Sequence, residues 1–154
     1  MARISPTAES TREEWDRVIG INLRGVWSCL KHELQQMERQ GSGAIVNNAS
    51  VGAFTGNPGI GSYIASKHGV LGLTRTAALE VVKKGIRVNA VNPGLIDTQI
   101  ALQVVGGDEQ AYAQLARQVP MGRAGTPDET ASVVLFLCSP FHSWSGHSID
   151  ANRL

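Results

Sequence analysis

Apolar positions after Thr11 recur at the three-and-four spacing of a buried helical face: Trp15, Val18, Ile19, Leu23, Val26, Trp27, Leu30, Leu34 and Met37. The run opens on Thr11-Arg12-Glu13-Glu14. This reads as a capping box, in which the Thr hydroxyl accepts from the backbone of Glu14 and the Glu14 carboxylate reaches back. The pattern predicts one long helix to about Met37. Asn22 breaks it, holding a place in the stripe where an apolar side chain is expected. Gly41-Ser42-Gly43 ends the helix, and Ala44-Ile45-Val46-Asn47 reads as a short strand buried on both faces.

A Gly-rich loop from Gly52 to Gly61 leads into a second helix, from about Ser62 to Lys83, which Gly85 stops. Ile86 to Val91 forms a second short strand, closed by Asn92-Pro93-Gly94. Helix, strand, helix, strand in this order predicts an α/β fold with a parallel sheet under covering helices. Leu95 to Gly125 is less regular. It includes a short helix from Asp108 to Gln118 and is the best candidate for a mobile segment over a substrate. Thr126-Pro127-Asp128-Glu129 combines a capping Thr, a first-turn Pro and a box-closing Glu, and starts a helix to Cys138. Ile149 belongs to a last short strand. With no internal repeat and no long linker, residues 1–154 read as a single domain.

Composition narrows the classes. Hydrophobic residues at 42% and charged residues at 18% suit a globular chain. A net charge of +1, with 14 scattered Lys and Arg, offers no basic patch for nucleic acid and no polybasic anchor. The longest apolar stretch, Val133 to Cys138, is too short to span a bilayer, and Met1 to Pro6 has no signal-peptide core. Cys29 and Cys138 form no motif, so a cytoplasmic protein with reduced thiols is expected. Gly25 and Gly72 sit inside helical patterns, where glycine is costly, and point to close packing.

The candidate chemistry centres on Tyr63 and Lys67, four apart on one helix and so on one face. An ammonium beside a phenol favours the phenolate, and such a Tyr can give a proton to a carbonyl or take one from an alcohol. Ser50 follows the end of the first strand, at the carboxyl edge where open parallel sheets place ligands. Asn22 has two readings: a polar group behind Lys67 that bonds backbone or water, or a satisfied core amide that holds a helix bend. Two other patterns carry less. Gly56-Asn57-Pro58-Gly59-Ile60-Gly61-Ser62 has the glycine spacing of a phosphate loop without the Lys that should follow Gly61. His32, His68, His142 and His147 lack Cys or acidic partners at ligand spacing, so no metal site is predicted.

Five segments then occur in order: Ile21-Asn22-Leu23-Arg24-Gly25, Ile45-Val46-Asn47-Asn48-Ala49-Ser50, Tyr63-Ile64-Ala65-Ser66-Lys67, Arg87 to Gly94, and Gly122-Arg123-Ala124-Gly125-Thr126-Pro127. From about Thr11 to Gly146 the chain resembles the short-chain dehydrogenase/reductase family, in its compact single-domain form. The resemblance implies a Rossmann-like doubly wound parallel sheet and an oxidoreductase that interconverts a small alcohol and a ketone with NAD or NADP. It implies that Asn22, Ser50, Tyr63 and Lys67 are the catalytic four. Tyr63 would be the acid/base and Ser50 would hold the substrate oxygen. Lys67 would bond the nicotinamide ribose and tune the phenol, and Asn22 would place a relay water. Pro93, Gly94, Ile96 and Thr98 would hold the carboxamide end.

The resemblance also implies a partial fold. The family's opening strand, Gly-rich turn and helix precede the region matched here, and Asp150-Ala151-Asn152 stands where the family has Asp-Gly-Gly. A shortened chain would leave an unpaired sheet edge and uncovered apolar surface, with Leu23 and Trp27 as candidates for part of it. Two functions follow as expectations. One is the dehydrogenase, a homodimer or homotetramer through the helices that carry Asn22 and Tyr63. The other is a truncated, inactive remnant that keeps only this oligomerisation surface.

Overall fold

The computed structural model describes residues 4–140 and 143–150; His142, Ala151, Asn152 and the first three positions lie outside them. In chain order the main elements are α1 (Arg12–Ile19), α2 (Gly25–Gln40), β1 (Gly43–Asn48), α3 (Gly61–Val81), β2 (Ile86–Asn92), α4 (Gln99–Val104), α5 (Glu109–Gln118), α6 (Pro127–Cys138) and β3 (Ser148–Asp150). The strands form one parallel sheet in the order β1-β2-β3.

Helix starts follow local chemistry. The Thr11 hydroxyl accepts from the Glu14 amide at 3.2 Å, and the Asp108 carboxylate accepts from Gln110 and Ala111. Thr126 and Glu129 close a full capping box. The long helix expected from Thr11 is helical throughout but not uniform. Between α1 and α2, Gly20–Arg24 forms a π turn with Asn22 at its centre. α2 ends at Gly41, in the left-handed region at φ 72°. α4 was not anticipated; Thr98 starts it, with its hydroxyl facing the Ala101 amide.

β2 is the central strand, and all but Arg87 of its seven residues are buried. Ile86, Val88 and Ala90 meet α3 through Val70, Ala77, Ala78 and Val81. On the opposite face, the Arg87 guanidinium donates to the carbonyls of Leu137, Cys138 and Ser139 at the end of α6. Helices therefore cover both faces, as a doubly wound sheet requires. At the turn before β2, Gly85 has φ 73°, and a Cβ there would lie 2.9 Å from the Gly41 carbonyl oxygen.

Three expectations need correction. β1 is not buried on both faces: Ile45 and Asn47 are buried, Ala44 and Val46 are only partly so, and Asn48 is exposed. It is an outer strand, paired with β2 alone among the described residues, and Ile45 packs with Ala77, Ala78 and Val81 of α3. Asn47 survives in the core because its amide donates to Thr74 at 2.8 Å. Second, Leu23 and Trp27 do not line the open edge of β1. They face α3, and the groove beside β1 is lined instead by Ile21, Gly25, Cys29, Glu33 and Met37. Third, a Cβ added at Gly72 would meet nothing within 4 Å; the close approach occurs at Gly69, where a Cβ would lie 2.8 Å from Leu23.

Candidate active site

The parallel ladder continues past the ends of β1 and β2. The Ala49 amide donates to Val91 at 2.9 Å and the Val51 amide to Pro93 at 3.1 Å. This holds Ser50 level with the Pro93-Gly94 turn at the carboxyl edge of the sheet. Ser50 is buried and caps the short turn Val51–Ala53, its Oγ accepting from the Gly52 amide at 3.1 Å. With that bond on the oxygen, the hydroxyl proton is left to donate elsewhere.

Tyr63 and Lys67 lie in the first two turns of α3. Gly52 separates Tyr63 from Ser50. The position of a Cβ on Gly52 lies 3.4 Å from Ser50 Oγ and 3.5 Å from Cε1 of the Tyr63 ring. Lys67 Nζ donates to the Asn48 carbonyl at 2.9 Å and stands 5.8 Å from the centre of the Tyr63 ring. Burial lowers the Lys67 pKa below the usual lysine value, because partial removal from water disfavours the ammonium.

Asn22 reaches the same cluster by another route. Its amide donates to Ser66 Oγ at 3.2 Å, and Ser66 Oγ donates to the Tyr63 carbonyl at 2.6 Å. Ser66 is fully buried. The side chain of Asn22 thus ties the π turn to α3. Sequence reasoning missed Ser66; the signal was a Ser one residue before Lys67, in a helix where burial would need a polar partner. Asn22 and Tyr63 also line a cavity of about 410 Å³, walled by apolar side chains that include Ile21, Ile60, Ile100 and Val104. Ser50 and Lys67 are not among its described lining residues.

Pro93 and Gly94 join the site through the Val51 bond. Ile96 bridges Gly125, and Asp97 N donates to the Gly125 carbonyl at 2.8 Å, so this strip is tied to the start of α6. The Thr98 hydroxyl is engaged with the Ala101 amide and the Ile96 carbonyl, each at 3.4 Å. Neither Ile96 nor Thr98 shares a hydrogen bond with Asn22, Ser50, Tyr63 or Lys67 among the described residues.

The donor set suits one end of a nicotinamide dinucleotide. The Lys67 ammonium has two protons beyond the one given to Asn48, and among the described residues no protein hydrogen bond occupies the Tyr63 hydroxyl. Ribose hydroxyls need such donors. The fit shown by these donors is to the nicotinamide–ribose end.

The family described as enoyl-(acyl carrier protein) reductase matches residues 1–150. The chain belongs to the short-chain dehydrogenase/reductase family. It is 42% identical over 139 residues to cyclohexanol dehydrogenase of Acinetobacter sp. (strain SE19), covering 90% of this chain and 53% of that protein. It is 41% identical to 3-oxoacyl-[acyl-carrier-protein] reductase FabG of Staphylococcus aureus (strain Mu50 / ATCC 700699), covering 91% and 56%. The chain therefore spans about half the length of the curated relatives it matches. Among solved structures, a putative NAD(P)-dependent gluconate 5-dehydrogenase from Beutenbergia cavernae with bound NADP superposes with a TM-score of 0.92 at 34% identity, covering 99% of this chain and 61% of that one. This likeness supports the Rossmann-like reading of the sheet. Among the described residues of this family member, no helix is long and apolar enough to cross a membrane.

Proposed function

We propose that this chain supplies the proton-transfer site of an NAD- or NADP-dependent oxidoreductase that interconverts a small alcohol and a ketone. The observation that carries the reading is the cluster at the carboxyl edge of the sheet. Ser50 and Tyr63 flank Gly52, with Lys67 one turn along α3. A nicotinamide cofactor would supply or accept the hydride. In reduction, the Ser50 hydroxyl holds the carbonyl oxygen and Tyr63 gives it a proton. Lys67 steadies the charge left on the phenol oxygen and donates to the ribose. Asn22, through Ser66, fixes the backbone carbonyl of Tyr63, and its place in the π turn suits the holding of a relay water. Pro93, Gly94, Ile96 and Thr98 are assigned to the carboxamide end.

The assignment to a single domain over 1–154 belongs to the same proposal. So does a cytoplasmic setting, which the two free cysteines suit. A homodimer or homotetramer through the Asn22 and Tyr63 helices is supported by an apolar groove between α2 and α3. Leu23 and Leu73 line it, Trp27 is half-exposed, and a Cβ added at Gly72 would meet nothing within 4 Å. Sedimentation should show a multimer that Gly72→Arg dissociates, and a wild-type monomer would remove the assembly.

The enzymatic reading is tested by titrating the purified chain with NADH and NADPH and following nicotinamide fluorescence. Saturable binding is expected, and ketone reduction should fall at least a hundredfold in Tyr63→Phe, which keeps the ring and deletes the acid. No saturable binding would remove the enzyme reading for this polypeptide. Unchanged turnover in Tyr63→Phe would remove the role of Tyr63.

A further inference from the structure

The cavity of about 410 Å³ that Tyr63 lines is of a size that holds a small organic molecule. Four stretches of chain supply its aliphatic walls. Val18 and Ile21 come from the helix that runs into the π turn, Ile60 from the residue before α3, and Ile100 and Val104 from α4. Ile4 joins them because the Ser5 amide donates to the Gly59 carbonyl at 2.9 Å, which pins that segment beside Ile60. Ile4, Ile21 and Ile100 are well exposed, at 62%, 69% and 67%, and Val104 is half-exposed. Single exposed aliphatic side chains are common, but several around one opening mark a place where something apolar binds.

The α4 wall is fixed at its base. Ile96 bridges Gly125, the Asp97 amide donates to the Gly125 carbonyl at 2.8 Å, and the Tyr112 hydroxyl of α5 donates to the Asp97 carboxylate at 3.0 Å. Ile100 and Val104 are four apart and so share one face of α4. The polar lining groups are largely engaged elsewhere. Asn22 gives an amide proton to Ser66, the Ile60 carbonyl accepts from the Ile64 amide at 3.0 Å, and Arg17 already interacts with another group of the protein. A hydroxyl, amide or charge on the body of a ligand would leave water for this wall without a hydrogen bond in exchange, which is costly. A hydrocarbon body loses no hydrogen bond and gains burial.

We propose that this cavity makes the site selective for alcohols and ketones whose body is a compact, unsubstituted hydrocarbon, with Ile100 and Val104 as specificity residues. The inference rests on the reading of Tyr63 as the proton donor. Neither Ile100 nor Val104 takes part in the proton transfer. The discrimination comes from desolvation and not from a charge pair, so it persists in added salt.

The test separates recognition from chemistry. The probes are 4-ethylcyclohexanone and 4-(hydroxymethyl)cyclohexanone, which match in shape and differ only in a terminal methyl or hydroxyl. Each is titrated into the full chain by ligand-detected NMR. An aliphatic pocket separates such a pair by roughly tenfold to a hundredfold, so the ethyl ketone should bind at least tenfold tighter, with and without added NaCl. Ile100→Ser combined with Val104→Ser should cut the preference to about threefold or less. Ile100→Leu with Val104→Ile keeps the wall apolar and should retain it, and a thermal melt checks that both variants are folded. Equal affinities in the wild type, a preference that survives the double Ser variant, or no binding of either probe would overturn the proposal. The parallel assay compares turnover of the two ketones with NADH and NADPH. If the ethyl ketone binds tighter through the α4 wall but neither ketone is reduced, the oxidoreductase reading fails and the hydrocarbon site stands. If both are reduced with equal kcat/KM and the double Ser variant changes neither, the hydrocarbon selectivity fails and the oxidoreductase reading stands.

Discussion

Replacing Gly52 with Ala places one methyl group between the two side chains proposed to grip the substrate oxygen. The added Cβ would stand 3.4 Å from Ser50 Oγ and 3.5 Å from Tyr63 Cε1, both ordinary contacts, and 3.1 Å from the tip of Ile64. Only the last is tight, and Ile64 Cδ1 can yield by a small torsional change that costs about 1 kcal/mol or less. Gly52 does not have a positive φ, so Ala is tolerated by the backbone and gains about 0.4–1 kcal/mol from a stiffer unfolded chain. The two contributions nearly cancel. Stability should stay within about 1 kcal/mol of wild type, a melting shift of about 2–4 °C at most for a chain of this size.

Activity should behave differently. A methyl group in that gap displaces the substrate oxygen from the Ser50 proton and the Tyr63 phenol together. Loss of one such positioned donor typically costs about 2.7–4 kcal/mol of barrier, or roughly a hundredfold to a thousandfold in kcat. The assay is ketone reduction followed by nicotinamide absorbance, with a thermal melt of the same preparation. Wild-type kcat/KM in a well-folded Gly52→Ala variant would refute the placement of the reacting oxygen between Ser50 and Tyr63. A large loss of stability would refute the packing argument instead.

Other outcomes can be checked on stability alone. Arg87→Ala removes a charged donor from three carbonyls at the end of α6, and should cost about 2–4 kcal/mol in chemical denaturation, since bonds from a charged group contribute about 1.5–3 kcal/mol each but do not add fully; a loss under about 0.5 kcal/mol would contradict the capping role. The Arg123 guanidinium and the Thr126 amide hold the Glu129 carboxyl down at about 2 from the usual 4.5, so its contribution is complete above about 4.5 and disappears as pH falls through 2. The melting difference between wild type and Glu129→Gln should shrink over that window, and a constant difference would exclude the linkage. Burial lowers the Lys67 pKa, so the folded state sheds this proton first and stability gains as pH rises toward 10.5; Lys67→Met should lack that gain, and identical pH profiles for the two proteins would exclude it.

How much of this was legible in the sequence follows from how local each cause is. Thr11, Asp108 and Thr126 each act on amides within three residues, and all three helix starts could be read from single stretches. The π turn could not. Asn22 disturbs the apolar stripe visibly, but the extra residue in that turn goes with a bond to Ser66, 44 positions away. Leu23 and Trp27 face α3, while Ile21 and Cys29 take the groove beside β1.

The convergence of Ser50 with the Pro93-Gly94 turn has a simpler origin. Parallel pairing fixes Asn48 opposite Val91, and the ladder carries on through Ala49 to Val91 and Val51 to Pro93. Side chains alternate every residue along such a ladder, so a slip of one position would turn Ile45 out of the core and Ser50 away from Tyr63. The apolar residues that set the register, Ile45, Ile86 and Val88 against Ala77, Ala78 and Val81, therefore also set the height of the reactive hydroxyl. Packing and chemistry here share one constraint, which explains why motifs at the two strand ends mark the site while the residues that aim them look like ordinary core.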